Sequence, residues 1–148
     1  MELALLLEQI VAFSHHREFK KSRELFNSVF NKTAQHPLRN ESLLMARAHY
    51  LIVDNYVDRF RIVTKIQFMQ ECLKKSQLLL QNVDSPQDWA ELYYTSGNLG
   101  LARMSTIPIS ERRHAQARRA VQDDAKQNFE LAIACCKKDP RERIQTKL

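Results

Sequence analysis

Apolar residues recur along this chain at intervals of three, four and seven, the signature of helices with one buried stripe. Leu3, Leu6, Leu7, Ile10 and Phe13 carry the stripe over residues 2–14, before a polar interruption at His15, His16 and Arg17. Phe19, Leu25, Phe26, Val29 and Phe30 carry it over 18–33. Pro37 closes that segment, because the residue before a proline avoids helical geometry. A third helix is predicted over 41–57, with Asn40 as N-cap and Leu44, Ala48, Leu51 and Asn55 on one face. Asp58, Arg59, Phe60 and Arg61 form a tight connection to a fourth helix over 62–82, where Ile66, Met69, Leu73 and Leu80 keep the spacing.

The clearest boundary is Asp84-Ser85-Pro86-Gln87-Asp88. Ser85 suits an N-cap, Pro86 the first helical position, and Asp88 completes a capping-box pattern. Helix five is predicted over 86–104, with Trp89 and Tyr93 packing together and Tyr94 pointing elsewhere as a binding anchor. A break at Thr106 to Ile109 precedes helix six, over 110–138, which ends before Pro140 with Lys137 and Lys138 at the negative end of its dipole. The six helices group as three consecutive antiparallel hairpins, 2–33, 41–82 and 86–138. They are expected to form an all-α domain over 1–140 with a polar tail at 141–148.

Two stretches echo each other. Ser22, Phe26 and Val29 in one, and Ala125, Phe129 and Ala132 in the other, place a small residue, an aromatic four later and an apolar residue three beyond. Each trio shares a helix face whose small member lets a neighbouring helix approach closely. Phe26 and Phe129 are expected core anchors, worth roughly 1.5–3 kcal/mol each on burial. The middle hairpin carries no matching Ala/Phe/Ala trio.

On these residues the chain resembles the tetratricopeptide-repeat family of helical hairpins. The two trios match the family's second-helix pattern. Tyr93, Gly97, Leu99 and Gly100 resemble the first-helix pattern, with either glycine as the close-packing one. The long final helix and the unmatched middle hairpin depart from a standard repeat. The resemblance implies a short solenoid whose first helices line a concave groove for a partner peptide or helix, and it places Arg47, Asn55, Tyr94, Asn98 and Leu101 in that groove.

Composition narrows the chemistry. The chain has 148 residues, 44% of them hydrophobic, with only two glycines and four prolines, which disfavours turn-rich β architecture. Cys72, Cys135 and Cys136 follow no disulfide framework and read as apolar fillers in a reducing compartment. The opening segment lacks the basic start of a signal peptide, and no apolar run approaches the ~20 residues of a membrane span. A cytoplasmic or nuclear protein without membrane contact is expected.

No phosphate-cradling glycine loop or zinc spacing occurs. Asp123 and Asp124 diverge on their helix, and no nucleophile lies beside a base. Hence no enzyme activity, catalytic residue, metal or cofactor is expected. The net charge is +6, and the segment from Arg103 onward holds eleven Lys or Arg against six Asp or Glu. Arg112, Arg113, Arg118, Arg119 and Lys126 form a basic patch suited to an acidic peptide or partner helix. The same patch admits a nucleic-acid-binding reading, weakened by the lack of interleaved aromatics for base stacking. The open ends of such an array also suit a homodimer or a subunit of a larger complex.

Overall fold

In the computed structural model, residues 3–30, 42–59, 65–107 and 112–138 are described. Their regular structure is entirely α-helical: α1 (Leu3–His15), α2 (Phe19–Phe30), α3 (Ser42–Arg59), α4 (Ile66–Leu80), α5 (Pro86–Met104) and α6 (Arg112–Lys138). The expected N-cap Asn40, the stop at Pro37, residues 60–64, residues 108–111 and the tail from 139 onward lie outside the described residues.

Consecutive helices pack as pairs, α1 on α2, α3 on α4 and α5 on α6, while α1 also meets α3 and α3 meets α5. The α1–α2 turn is tight because Arg17 takes a left-handed conformation, φ 61°. The Arg17 amide then donates to the Ser14 carbonyl, and the Glu18 amide to the Phe13 carbonyl, which satisfies the end of α1 in a Schellman arrangement. Leu7 and Ile10 are fully buried, with Leu3 and Leu6 half-buried beside them and Leu5 exposed, so one face of α1 is core.

Helix α3 is central. Met45, Ala46, Ala48, His49, Tyr50, Ile52, Val53, Asn55 and Tyr56 are all buried, leaving Arg47, Leu51 and Asp54, four and three residues apart, as a half-buried stripe. A helix touched by α1, α2, α4 and α5 buries most of its circumference. Helix α4 is shorter at both ends than expected. Lys65 precedes it in a non-helical turn, φ −122° and ψ 5°, and the helix ends at Leu80.

Small residues sit where paired helices come closest. In the first pair, Ser22 on α2 is fully buried, and its hydroxyl donates to the Ile10 carbonyl at 3.1 Å and meets the Ser14 hydroxyl at 2.8 Å. In the last, Ala125 on α6 lies against Gly100, where an added Cβ would come within 3.0 Å of the Ala125 methyl. The middle pair has its own version: Ser76 on α4 is fully buried and donates to the Ala46 carbonyl of α3. Four residues on from Ser76 is Leu80, fully buried beside Ala46, Tyr50 and Leu92. The middle pair thus keeps the small residue at the close approach, while the three-residue pattern stays incomplete, because α4 ends at Leu80 and Val83 lies beyond it.

Candidate binding groove

Helix α3 forms the floor of an open groove, with α1 and α5 as its walls. Val11 and His15 come from α1, Arg47, Tyr50 and Leu51 from α3, and Gln87, Asp88 and Glu91 from α5; together they enclose about 320 Å³. The groove depends on how α5 is fixed to α3. Asp88 is only 2% exposed and accepts two bonds from Arg47, Nε to Oδ1 at 2.8 Å and Nη2 to Oδ2 at 3.1 Å. Tyr50 Oη donates to the same carboxylate at 2.9 Å, and Ser85 Oγ adds a short contact. Farther along, Thr95 Oγ1 donates to Asp54 at 3.0 Å. The Arg47–Asp88 and Asp54–Thr95 bonds share a sequence offset of 41, so α3 and α5 run in the same direction.

The capping box expected at Ser85 and Asp88 thus takes another form. Ser85 occupies the N-cap position and its carbonyl accepts from the Trp89 amide, but its side chain makes no cap bond. Both side chains turn instead into the network with α3. A bidentate guanidinium already oriented across the helix boundary is a stronger partner for Asp88 than a neutral amide.

Electrostatics follow from this network. Burial opposes ionisation of Asp88, but hydrogen bonds from Arg47, Ser85 and Tyr50 outweigh it and hold its carboxyl below the usual range. The bond to Asp88 likewise raises Arg47. Burial, then the Asp88 charge, drives the Tyr50 phenol strongly upward. Glu91 is exposed as a residue, yet partial withdrawal of its carboxyl from water, followed by the Asp88 charge, raises its pKa, with His15 pulling the other way.

The residues expected in the groove divide. Arg47 lines its floor. Tyr94, Asn98 and Leu101 continue the Gln87–Glu91 stripe along α5 at intervals of three and four, with Tyr94 and Leu101 exposed and Asn98 half-buried. The Tyr94 ring also meets Phe129 of α6, edge to face at 5.8 Å. Asn55 is placed elsewhere. It is 1% exposed, donates to the Phe19 carbonyl at 3.0 Å and accepts from Arg23 at 2.8 Å, tying α3 to α2. The stripe of Arg47 and Leu51 passes through Asp54 instead, since a one-residue step turns a side chain about 100° around a helix.

The basic patch divides too. Arg113, Arg119 and Lys126 are exposed on α6. Arg118 is half-buried and donates to the Met104 carbonyl at 3.2 Å and the Ile107 carbonyl at 3.1 Å, so it holds the end of α5. Of Arg112 only the helical backbone is described. Trp89 and Tyr93 pack together as expected, ring centroids 5.6 Å apart, but both are half-buried at the edge of the core.

Asp54, Asp88 and Tyr50 escaped the sequence reading as groove-forming residues. The signal that points to them is the repeated offset of 41 between polar residues on alternate helices, visible only once both helices are placed. Among the described residues no group of three His, Cys, Asp or Glu side chains is placed to hold a metal, and no helix is long and apolar enough to cross a membrane. No family model matches the chain, and neither a curated protein nor a solved structure does.

Proposed function

We propose that this chain is a non-enzymatic interaction scaffold of tetratricopeptide-repeat type, holding a partner peptide or helix along the face formed by α1, α3 and α5. The observation that carries the reading is the groove over α3, whose walls are fixed by the buried Asp88 network while Gln87, Glu91, Tyr94 and Leu101 remain open along one stripe. Rigid walls with exposed apolar and polar side chains reduce the ordering cost of binding, and a tyrosine rim anchor is a favoured contact type. Among the described residues the guanidinium that lines the groove, that of Arg47, is committed to Asp88. An acidic partner is therefore better served by the exposed Arg119 and Lys126 on α6, and the groove by apolar and donor groups.

The test is a pull-down from cells with the full chain, with and without nuclease. A partner held by the groove is retained after nuclease and lost from the Glu91→Arg/Leu101→Glu variant, whose melting temperature should match the parent because both positions are exposed. Retention by that variant refutes groove binding.

A second reading rests on the exposed cations of α6, which suit a nucleic-acid backbone. It requires binding to RNA or DNA that weakens steeply with salt and vanishes in Arg113→Gln/Arg119→Gln/Lys126→Gln. Salt-independent behaviour eliminates it.

A further inference from the structure

A second cavity, of about 340 Å³, opens among α1, α2, α3 and α4, away from the groove. Its wall includes Phe26, Phe30, Phe68, Met45, His49 and Cys72. An engineered apolar cavity of about 150 Å³ holds benzene, so this space admits a larger ring system.

One wall residue is out of keeping with the rest. His49 is 4% exposed, and its Nδ1 lies 2.7 Å from the Met45 carbonyl, one turn back on α3. A carbonyl only accepts, so Nδ1 carries the proton and Nε2 is left as an acceptor. Among the described residues Nε2 has no hydrogen-bond partner. The ring is fixed between Phe26 and Phe30, with centroids 5.2 and 4.6 Å away in edge-to-face contact. Nε2 is not fully enclosed, so it keeps access to solvent and is open to a donor that enters the cavity. Burial, aided by the Lys75 charge, lowers the His49 pKa to about 4, so the ring stays neutral near neutral pH and keeps its acceptor. Among the described residues the cavity wall carries one cation and one carboxylate, Lys75 and Glu71, four residues apart on α4, whose charges balance. Lys75 Nζ also lies over the Phe30 ring at 5.6 Å.

We propose that this cavity is a binding site for a small neutral aromatic molecule bearing one hydroxyl group, its ring set among Phe26, Phe30 and Phe68 and its O–H donated to His49 Nε2. The balanced wall charge favours a neutral ligand over an anion. The site is separate from the α1–α3–α5 groove and stands independently of the scaffold reading.

The test compares 2-naphthol with 2-fluoronaphthalene, which has nearly the same shape but no donor. Each is titrated into the full chain and followed by amide and imidazole nitrogen NMR shifts. The expected result is saturable 2-naphthol binding, shifts centred on Met45, His49 and Cys72, and an affinity about fivefold above that of 2-fluoronaphthalene, the margin of one net hydrogen bond. His49→Phe should bind both probes equally. Should that variant fail to fold, Cys72→Met, which narrows the cavity with an apolar side chain, should abolish binding of both. Absence of saturable binding, equal affinities in the parent chain, or shifts mapping outside the cavity would overturn the proposal.

Discussion

Gly97 lies beneath the ring of Phe129: a Cβ at Gly97 would come within 2.6 Å of Phe129 Cε1 and 2.7 Å of Cζ. The small residue and the aromatic are halves of one contact, in which the missing side chain on α5 makes room for the ring on α6. Gly100 makes the neighbouring contact with Ala125, so the two glycines share the close packing of α5 on α6.

Gly97→Ala sets a gain in helix propensity of about 1 kcal/mol against overpacking of roughly 1–3 kcal/mol. Overpacking should win, lowering the melting temperature and driving the Phe129 ring away from Tyr94. In a Phe129→Ala background the clash is gone, so the same glycine change should raise stability. A double-mutant cycle by denaturant unfolding reads this reversal of sign, and additive effects would contradict the contact. Phe129→Ala alone should cost less than Phe26→Ala. Phe26 is 3% exposed and its loss should cost about 3–5 kcal/mol, whereas Phe129 is only half-buried.

Asp88→Asn removes the charge that Arg47 and Tyr50 are oriented to meet. The expected loss is about 2–4 kcal/mol, discounted from a fully buried pair because Arg47 reaches solvent. Arg47→Met should lose at least as much as the asparagine variant, since it leaves a buried carboxylate with two hydroxyl donors and no counter-ion. Equal and negligible losses by urea unfolding would show that the network does not fix α5.

His49 gives a pH window. Its pKa falls from the ordinary 6.5 to about 4 on folding, chiefly by burial, so the unfolded chain takes up the proton first as pH drops. Its contribution is intact above pH 6.5 and is lost progressively down to about pH 4. The total is on the order of 3 kcal/mol, from 1.36 kcal/mol per pH unit. Asp88, held below the ordinary 3.8, acts only at lower pH. His49→Phe should flatten the slope of unfolding free energy across this window, and an unchanged slope would place the titration elsewhere.

Arg118 and Arg119 are adjacent but serve different ends. Arg118→Ala should cost about 1–2 kcal/mol, through its charged donors to the Met104 and Ile107 carbonyls. Arg119→Ala, on the exposed side, should stay within about 0.5 kcal/mol of the parent. Thermal melts of both variants distinguish a structural arginine from one available to a partner. If both melt alike, the assignment of Arg118 fails.

Much of the architecture was legible before any coordinates. The bounds of α5, 86–104, follow from Pro86 and the break after Met104, because local backbone chemistry sets such ends. The close approach at Ser22 and Ala125 was legible from the small-aromatic-apolar trio. The close approach at Ser76 was hidden because no aromatic follows it four residues on. The groove was legible only in part: Arg47 lines it, Tyr94, Asn98 and Leu101 lie farther along α5 and outside its lining, and Asn55 turns inward by one residue.

What the sequence settled by itself is helix content, the bounds of α5 and the small-residue contacts at Ser22 and Ala125, since these depend on neighbours within a turn or two along the chain. Which sides of α3 are covered, that Asp88 leaves its own helix start for Arg47 and Tyr50, and that His49 is enclosed by aromatic rings were decided by tertiary structure. Those outcomes require side chains about forty residues apart or on different helices to meet, and burial then fixes which polar atoms find partners and which charges survive.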